Sequence, residues 1–277
     1  MSHVPAERCL SIIQLLADQA GEMPLGEIAE RLDLPKSGAH RLLATLVDLG
    51  WVEKDPQTSF YRLTMRLAIL GQQFYVATGI PDLCQPLLDR LARESREFVR
   101  MAVVDSAALV WVAHAQGARG GLMYQPSLAT NVVPLHATAS GKAWLATLDT
   151  DQAVELALKH GGIGAEGAYG PNAVRTIGAL MTELEETRRR GYGLANSEAE
   201  PGVTAIAVVI RSGNDGPVVG TVSVAGPGVR MTEARVRELV PALDATAAEL
   251  SDFWPLRTRR FRAEAADGSP AHRRVAV

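Results

Sequence analysis

Cysteine is scarce in this chain, and its two copies lie far apart. Cys9 and Cys84 have no neighbouring cysteine or histidine at the spacing of metal ligands. The sequence therefore predicts neither a disulfide framework nor a zinc site. We expect two reduced, buried thiols and no bound metal or cofactor.

Long apolar runs are also missing. No stretch of about 18 consecutive apolar residues occurs, which is the length that a membrane-spanning helix needs. Glu7 and Arg8 lie where a secretory signal requires apolar side chains. These two absences predict a cytoplasmic protein with no membrane partner.

An excess of positive charge is absent too. The 28 lysines and arginines are outnumbered by 31 acidic residues, which gives a formal net charge of −3. Proteins that bind nucleic acid without sequence specificity are usually basic overall, so any contact with nucleic acid must be local.

The length and composition predict about two folded domains. The chain has 277 residues, of which 47% are hydrophobic and 21% charged.

The N-terminal part predicts three helices followed by a β-hairpin. Apolar residues with a period of about 3.6 favour helices at Cys9–Ala20 and Leu25–Leu32, and a third from Pro35 to about Asp48. Beyond this helix the period becomes two, which indicates strands at Trp51–Glu53 and Phe60–Leu63. Helix, helix, tight turn, helix and hairpin is the order of a winged helix-turn-helix, whose third helix enters the major groove of DNA.

The third helix has one apolar and one polar side. Ser37, His40 and Arg41 share the polar side, where they can reach base edges in a major groove. Lys36 lies at the start of the helix and is predicted to contact phosphate. Each of these residues also has an explanation that involves no DNA. An exposed Arg or Lys is usually a solvated charge, and a histidine can fill a packing gap.

Two basic residues of the hairpin, Lys54 and Arg62, are further candidates for contacts with the DNA backbone, although exposed hairpins often carry charge.

Up to Arg66 the module contains seven basic and nine acidic residues, so one copy is expected to bind weakly. We therefore predict self-association that reads spaced half-sites of a double-stranded operator.

The rest of the chain predicts a second, mixed domain. A helix at Met65–Ala77 is broken by Gly79-Ile80-Pro81, which marks the boundary. Helices are then predicted near Pro81–Ser95 and at Thr138–Thr147, Asp151–His160, Arg175–Arg190 and Thr232–Phe253, and strands at Phe98–Val104, Ala108–Ala115, Thr204–Arg211 and Val218–Ala225. The domains are thus 1–64, a linker helix at 65–80, a second domain at 81–254, and a basic tail at 255–277 without fixed structure.

Three separated segments resemble the IclR family of transcriptional regulators. They are the run from Leu25 to Leu46, the run Val133-Pro-Leu-His-Ala-Thr-Ala-Ser-Gly-Lys-Ala, and Gly191-Tyr-Gly followed by Glu200-Pro-Gly-Val and Val222-Ser-Val-Ala-Gly-Pro. The likeness covers roughly residues 7 to 254. It implies an α/β (α+β) fold in which a winged helix-turn-helix and a linker helix precede an effector domain with a curved antiparallel sheet flanked by helices. It also implies a dimer or a dimer of dimers.

The resemblance further implies a small-molecule effector, either an organic acid or an aromatic catabolite. The turn at Ala137–Lys142 helps to form the family's effector pocket, and backbone N–H groups at a helix start suit a carboxylate. Carried over by position, the pocket residues are Ala139, Ser140, Ala195, Asn196, Ala205 and Ser223, with apolar walls from Leu122, Met123, Val133 and Leu135.

The sequence departs from some relatives at the pocket. It has Ala195-Asn196 where acid-sensing members place an acidic residue, and Ala205 where they place a cysteine. Smaller and less polar side chains predict a roomier, less charged pocket, which favours a larger or aromatic ligand over a very small acid. Gly38 and Ala39 also depart from the residues that relatives often carry, which leaves the bases that are read undetermined.

Three alternatives remain open. His136, Ser140 and Lys142 lie in one short segment and suggest a hydrolase, although no Gly-x-Ser-x-Gly or Ser-x-x-Lys motif supports it. The helix-turn-helix can instead be a protein-docking module. The basic tail can add phosphate contacts, with solvated disorder as its simpler alternative.

Overall fold

The computed structural model describes residues 4–19, 21–126, 131–159, 163–164, 169–213 and 215–254. The predicted tail at 255–277 lies outside these described residues. The chain divides between Ala77 and Thr78 into two compact units. The first is mainly helical, and the second contains a five-stranded sheet.

Three helices of the described residues form the core of the first unit: α1 (Val4–Gln19), α2 (Leu25–Arg31) and α3 (Lys36–Asp48). Each places apolar residues on one face at helical spacing, and these faces meet in a common core. The members of that core are Ile12, Leu16, Met23, Ile28, Leu43, Leu46, Val52 and Tyr61. Each large aliphatic side chain buried there contributes about 1.5–3 kcal/mol relative to exposure.

A hairpin completes this core, with β1 (Val52–Lys54) antiparallel to β2 (Tyr61–Leu63). The carboxylate of Asp55 accepts hydrogen bonds from the backbone N–H groups of Gln57 and Thr58, each at 2.8 Å, and so closes the turn. These bonds favour the charged form and lower the pKa of Asp55. The predicted order of a winged helix-turn-helix is confirmed.

The helix that follows the hairpin, α4 (Arg66–Ala77), has no buried residue. Ile69 and Leu70 are 54% and 51% exposed. A group of exposed apolar side chains on one helix is typical of a surface that contacts another protein.

The sheet of the second unit is antiparallel throughout. Its strands are β3 (Phe98–Asp105), β4 (Ala108–Gln116), β5 (Gly193–Asn196), β6 (Val203–Arg211) and β7 (Val218–Pro227), in the order β4-β3-β7-β6-β5. The hairpins β3–β4 and β6–β7 therefore lie side by side, with β5 at one edge.

Within the described ranges, five α-helices accompany the sheet: α5 (Gln85–Ser95), α6 (Ala139–Leu145), α7 (Thr150–Lys159), α8 (Ile177–Arg190) and α9 (Glu233–Ser251). The helix α9 begins as predicted, since the Thr232 hydroxyl accepts a hydrogen bond from the Arg235 N–H at 3.3 Å. Gly191, with φ +83°, ends α8. Among the described residues no helix is long and apolar enough to cross a membrane.

Glycine allows α6 to lie very close to the edge of the sheet. A side chain at Gly193 of β5 would place its Cβ 2.1 Å from the carbonyl oxygen of Ala139. One at Gly141 would lie 2.3 Å from the carbonyl oxygen of Leu135. Both distances are far below van der Waals contact, so only glycine permits this packing, which brings Ala139 and Ser140 to the sheet.

Three local features differ from the sequence prediction. Pro35 is the extended N-cap of α3 and not its first helical residue. The first turn of the helix predicted near Pro81–Ser95 is a π-helical turn, Ile80–Cys84, and the remainder is α5. Pro86 has no N–H to bond back to the previous turn, which favours the change in helical pitch. The strand β5 was not predicted because its sequence, Gly-Leu-Ala-Asn, shows no clear alternation of apolar and polar residues.

Candidate functional site

The exposed face of α3 carries the predicted recognition residues. Lys36, Ser37, His40 and Arg41 are all exposed, while Ala39 on the same helix is completely buried. Within the part of the chain that the structure describes, neither Lys36 nor Arg41 has an ion-pair partner. The face therefore presents donors and acceptors that can reach phosphates and the edges of bases.

The two basic residues of the hairpin have different surroundings. The Lys54 ammonium is exposed and lies 5.6 Å from the centroid of the Tyr61 ring. Arg62 is held between two carboxylates, with Nη1 2.6 Å from Glu22 and Nε 2.5 Å from Glu53. Because these carboxylates balance its charge, Arg62 is less available to a phosphate than Lys54 is.

A cavity of about 300 Å³ lies in the second unit. Strand pairing builds its floor: Ala195, Ala205 and Ala225 are neighbours across β5, β6 and β7, and Phe98 of β3 completes the row. Three alanines in succession leave open space above the sheet that larger side chains would fill. The cavity thus follows directly from the register of four strands.

One wall of the cavity combines an arginine with aromatic rings. The Arg100 guanidinium lies 5.4 Å from the Phe98 ring centroid and 4.8 Å from that of Trp111. A bulge in β4 makes Trp111, and not Val112, the partner of Ala102. This shift turns Trp111 toward the face of the sheet that carries Arg100.

The opposite wall is the start of α6, where Ser140 lines the cavity. Ser140 is 1% exposed, and its hydroxyl has no hydrogen-bond partner among the described residues. A buried hydroxyl without a partner costs about 1–3 kcal/mol. The Ser140 hydroxyl can therefore form a favourable hydrogen bond with a polar group that enters the cavity.

A tyrosine and a glutamate add a second polar feature. The Tyr124 hydroxyl donates a hydrogen bond to Oε1 of Glu200 at 2.9 Å, and both residues line the cavity. Burial, followed by the negative charge of Glu200, raises the pKa of Tyr124. Burial lowers the pKa of Arg100, and Tyr124 and Glu200 oppose that change. The lining of the cavity therefore includes one positively charged side chain, Arg100, and one negatively charged side chain, Glu200.

The structure brings together five of the ten residues predicted for the pocket: Ala139, Ser140, Ala195, Ala205 and Ser223. The other five do not line the cavity. Leu122 and Met123 are exposed, Val133 and Leu135 belong to an apolar core beneath α6 and α8, and Asn196 is exposed with its side chain accepting a hydrogen bond from Thr204.

Alternation of side chains explains several of these differences. Val132 and Pro134 line the cavity, while their neighbours Val133 and Leu135 point into the core. The pocket residues were predicted by matching sequence positions to those of the family, and such matching does not detect a shift of one residue, which exchanges the side chains that face the cavity for those that face the core. The sequence analysis also missed Arg100, Tyr124 and Glu200, and a test of two-residue alternation along β3 would have placed Phe98 and Arg100 on one face.

The arrangement does not resemble a hydrolase site. Lys142 is completely buried and bound to carboxylates, with Nζ 2.7 Å from Glu198 and 3.2 Å from Glu183. Neither the His136 ring nor the Ser140 hydroxyl has a hydrogen-bond partner in the described part of the chain, so no base is bonded to the hydroxyl.

Cysteine and metal chemistry give no alternative site. Cys9 and Cys84 are both unpaired thiols. Burial raises the pKa of Cys84 to about 12, which keeps its thiol protonated and unreactive. Across the described residues no group of three or more His, Cys, Asp or Glu side chains is placed to hold a metal ion.

Comparison with known proteins supplies the family. The model of the bacterial transcriptional regulator IclR C-terminal domain matches residues 72–252, and that of the IclR helix-turn-helix domain matches residues 5–56. The transcriptional repressor IclR of Escherichia coli is 28% identical over 88% of this chain and 87% of its own length. The HTH-type transcriptional regulator BhcR of Paracoccus denitrificans is 31% identical over 88% of this chain and 85% of its own.

Solved structures agree with this assignment. The Thermotoga maritima IclR structure is 25% identical, with a TM-score of 0.65 over 89% of this chain and 97% of its own. An IclR homolog from Microbacterium hydrocarbonoxydans, complexed with 4-hydroxybenzoate, is 24% identical, with a TM-score of 0.67 over 89% and 98%. The chain therefore belongs to the IclR family, and it is a DNA-binding transcriptional regulator of that type.

Proposed function

We propose that a small organic ligand, an aromatic catabolite or organic acid, binds in the cavity of the second unit and modulates the affinity of this regulator for its operator. The observation that carries the proposal is the Ser140 hydroxyl, which is buried at the cavity wall without a hydrogen-bond partner among the described residues. A ligand oxygen or nitrogen would satisfy it.

The alanine floor and the aromatic wall support a ligand with an aromatic ring. Rings pack favourably edge to face or offset against other rings, which Phe98 and Trp111 offer here. The Microbacterium hydrocarbonoxydans homolog is complexed with 4-hydroxybenzoate. That chain shares the fold, so its ligand is a reasonable first probe.

DNA contacts in this proposal come from the exposed face of α3. Ser37, His40 and Arg41 meet base edges in the major groove, and Lys36 contacts phosphate. Lys54 approaches the backbone from the hairpin, and Arg62 contributes less because Glu22 and Glu53 hold it.

Self-association is the remaining part of the proposal. A module with more acidic than basic residues needs a second copy to bind an operator tightly, because two linked contacts raise the overall affinity. The exposed apolar side chains of α4, among them Ile69 and Leu70, supply a surface on which two copies can pack. We propose a dimer or a dimer of dimers.

The test begins with operator fragments captured from genomic DNA by the full chain. Fluorescence anisotropy then measures operator affinity with and without a panel of organic and aromatic acids. We expect at least one acid to change the affinity by roughly 5- to 150-fold, the usual range of coupling between sites.

The variant Ser140→Ala should reduce the response to that acid and leave ligand-free operator binding unchanged. Thr182→Ala is the matched control, since Thr182 is an exposed hydroxyl on α8 and should respond as the wild type does. An operator affinity that no compound alters, in a protein that binds DNA normally, would refute the modulation.

A further inference from the structure

We infer that Gly38 and the ring of Pro35 form a notch at the start of α3 that receives the 5-methyl group of a thymine in the operator. The inference rests on the proposed function, in which α3 lies in the major groove of DNA. It goes further because it assigns the reading of one base to two residues that have no polar side chain and that were not among the predicted recognition residues.

Folding does not explain a glycine at position 38. Gly38 is the third residue of α3, and its φ is not positive. Outside the adjoining backbone, the nearest atom that an added Cβ would meet among the described residues is Cδ of Pro35, at 3.9 Å. Glycine is less stable than alanine in a helix. It therefore costs stability here without improving the packing of the unit.

Another helical glycine shows the contrast. In α6 an added Cβ at Gly141 would lie 2.3 Å from the carbonyl oxygen of Leu135, so packing within the protein requires that glycine. Nothing in the protein makes the same demand at Gly38. A molecule that packs against α3 from outside supplies a physical reason for leaving this position without a side chain.

The notch is apolar. One side is the exposed ring of Pro35, which has no N–H, and the Pro35 carbonyl oxygen already accepts a hydrogen bond from the Ala39 N–H at 2.9 Å. The other side is the Cα of Gly38, which is half-exposed. The missing side chain leaves space beside the proline ring, and a methyl group that enters this space contacts both residues.

The notch lies where a recognition helix meets bases. In helix-turn-helix proteins the N-terminal residues of this helix contact base edges, and Gly38 is in the first turn of α3. Because a helix turns about 100° per residue, Gly38 lies about 60° around the helix from Arg41. Arg41 is exposed, so the notch borders the face that carries the predicted recognition residues.

Thymine is the base that fits an apolar notch. Each base pair presents hydrogen-bonding groups in the major groove, but thymine also presents a methyl group. A notch without donors or acceptors leaves the polar edges of the other bases without partners, whereas it buries a methyl group favourably. Burial of one such group corresponds to about a fourfold gain in affinity for each half-site.

The experiment compares thymine with uracil, which differs only in lacking the 5-methyl group. Each thymine of an operator fragment captured by the full chain is replaced in turn by deoxyuridine, at equivalent positions of both half-sites. Fluorescence anisotropy then measures the affinity. We expect at least one replacement to weaken binding of the wild type by about fourfold for each half-site.

Gly38→Ala should reverse the preference at that position. Its added methyl group fills the notch, so the operator with thymine should bind about fivefold or more weakly than it binds the wild type. The operator with uracil leaves room for the alanine and should now bind better than the one with thymine. At every other thymine the effect of uracil should stay as in the wild type.

Gly178→Ala is the matched control. Gly178 is the second residue of α8, and nothing lies within 4 Å of an added Cβ. Both variants should raise the midpoint of thermal unfolding, because alanine has less freedom than glycine in the unfolded chain. Only Gly38→Ala should change the binding of DNA. A raised midpoint in Gly38→Ala also shows that its weaker binding does not come from misfolding.

Two results would overturn the inference. One is a Gly38→Ala variant that keeps the preference of the wild type for thymine over uracil at every position. The other is a half-site at which no replacement by uracil weakens binding of the wild type. Arg41→Ala separates these results from a failure of the proposed function. If Arg41→Ala weakens operator binding, α3 reads DNA and only the thymine contact is wrong. If Arg41→Ala binds as the wild type does, the proposed role of α3 fails as well.

Discussion

Lys142 Nζ lies 2.7 Å and 2.8 Å from the two carboxylate oxygens of Glu198. The lysine is completely buried, and its second partner, Glu183, is 3.2 Å away and also bound to Arg190 at 2.6 Å. Lys142 follows Ser140 on α6, and Glu198 precedes Glu200. The ion pair therefore connects two walls of the cavity.

Removal of Lys142 should destabilise the second unit strongly. Lys142→Met leaves Glu198 buried without its cation, which typically costs about 3–5 kcal/mol. The double variant Lys142→Met with Glu198→Leu should recover much of that loss, since no buried charge remains. Urea unfolding measures both. Arg237→Met, at an exposed pair with Glu233, should change stability little.

His136 should make the protein sensitive to mild acid. It is 1% exposed, its ring meets the edge of Tyr169 at 4.7 Å between centroids, and burial, followed by the positive charge of Lys142, lowers its pKa below 6.5. Below this value the unfolded chain binds a proton that the folded chain does not. Stability is therefore lost as the pH falls through the interval between the two pKa values.

Unfolding by urea at several pH values tests this effect. The contribution of one such proton approaches about 1.4 kcal/mol per pH unit. His136→Phe should flatten the acid limb of the stability curve by that amount. An identical acid limb in His136→Phe would contradict the prediction.

Gly193 should be intolerant of any side chain. Its Cβ would lie 2.1 Å from the Ala139 carbonyl oxygen, so Gly193→Ala forces α6 away from the sheet at a cost of about 1–3 kcal/mol. Because α6 carries Ser140, the response to ligand should weaken as well. Gly178→Ala on α8 is the matched control: nothing lies within 4 Å of its Cβ, and alanine should stabilise by about 0.5–1 kcal/mol.

Long, strongly periodic segments were predictable from the sequence, and so were the short strands β1 and β2, which flank a turn-rich segment, whereas β5 was not. The helix α3 and its two faces followed from the positions of Ala39, Leu43 and Leu46, since an amphipathic helix of 13 residues repeats its pattern several times. The strand β5 has only four residues, and their sequence shows no repeating pattern of apolar and polar side chains.

The cavity was only partly predictable because its residues meet through pairing between strands. Phe98 is far along the chain from Ala195 and Ala205, and it joins the same row only through the register of β3, β5, β6 and β7. The bulge that turns Trp111 toward Arg100 leaves no composition signal. Arg100 and Glu200 look like ordinary solvated charges in the sequence.

The recognition residues and the hairpin should differ in their effect on DNA binding. Arg41→Ala should weaken operator binding by about 1–3 kcal/mol and relax sequence specificity, and Lys36→Ala should reduce the salt dependence by about one phosphate contact. Arg62→Ala should reduce the salt dependence less, since Glu22 and Glu53 already balance its charge. Anisotropy titrations over a range of salt concentrations give these slopes. An equal loss for Arg62→Ala and Lys36→Ala would contradict the ranking.

The exposed apolar residues of α4 should control self-association. Leu67 and Leu70 lie one turn apart and are 36% and 51% exposed, so a charge at Leu70 would have to be buried if two copies pack there. Leu70→Glu should shift the mass measured by light scattering toward the monomer. Operator affinity should fall by a factor of about 10²–10⁴, because the second contact is lost.

Ala68→Glu adds the same charge to the same helix. Ala68 lies about 200° around the helix from Leu70 and about 100° from both Leu67 and Ile69, and its side chain is already exposed. It should therefore keep the mass and the operator affinity of the wild type. If both variants stay associated, α4 is not the contact surface. If both dissociate, the added charge acts by general repulsion and not through its position on the apolar side of the helix.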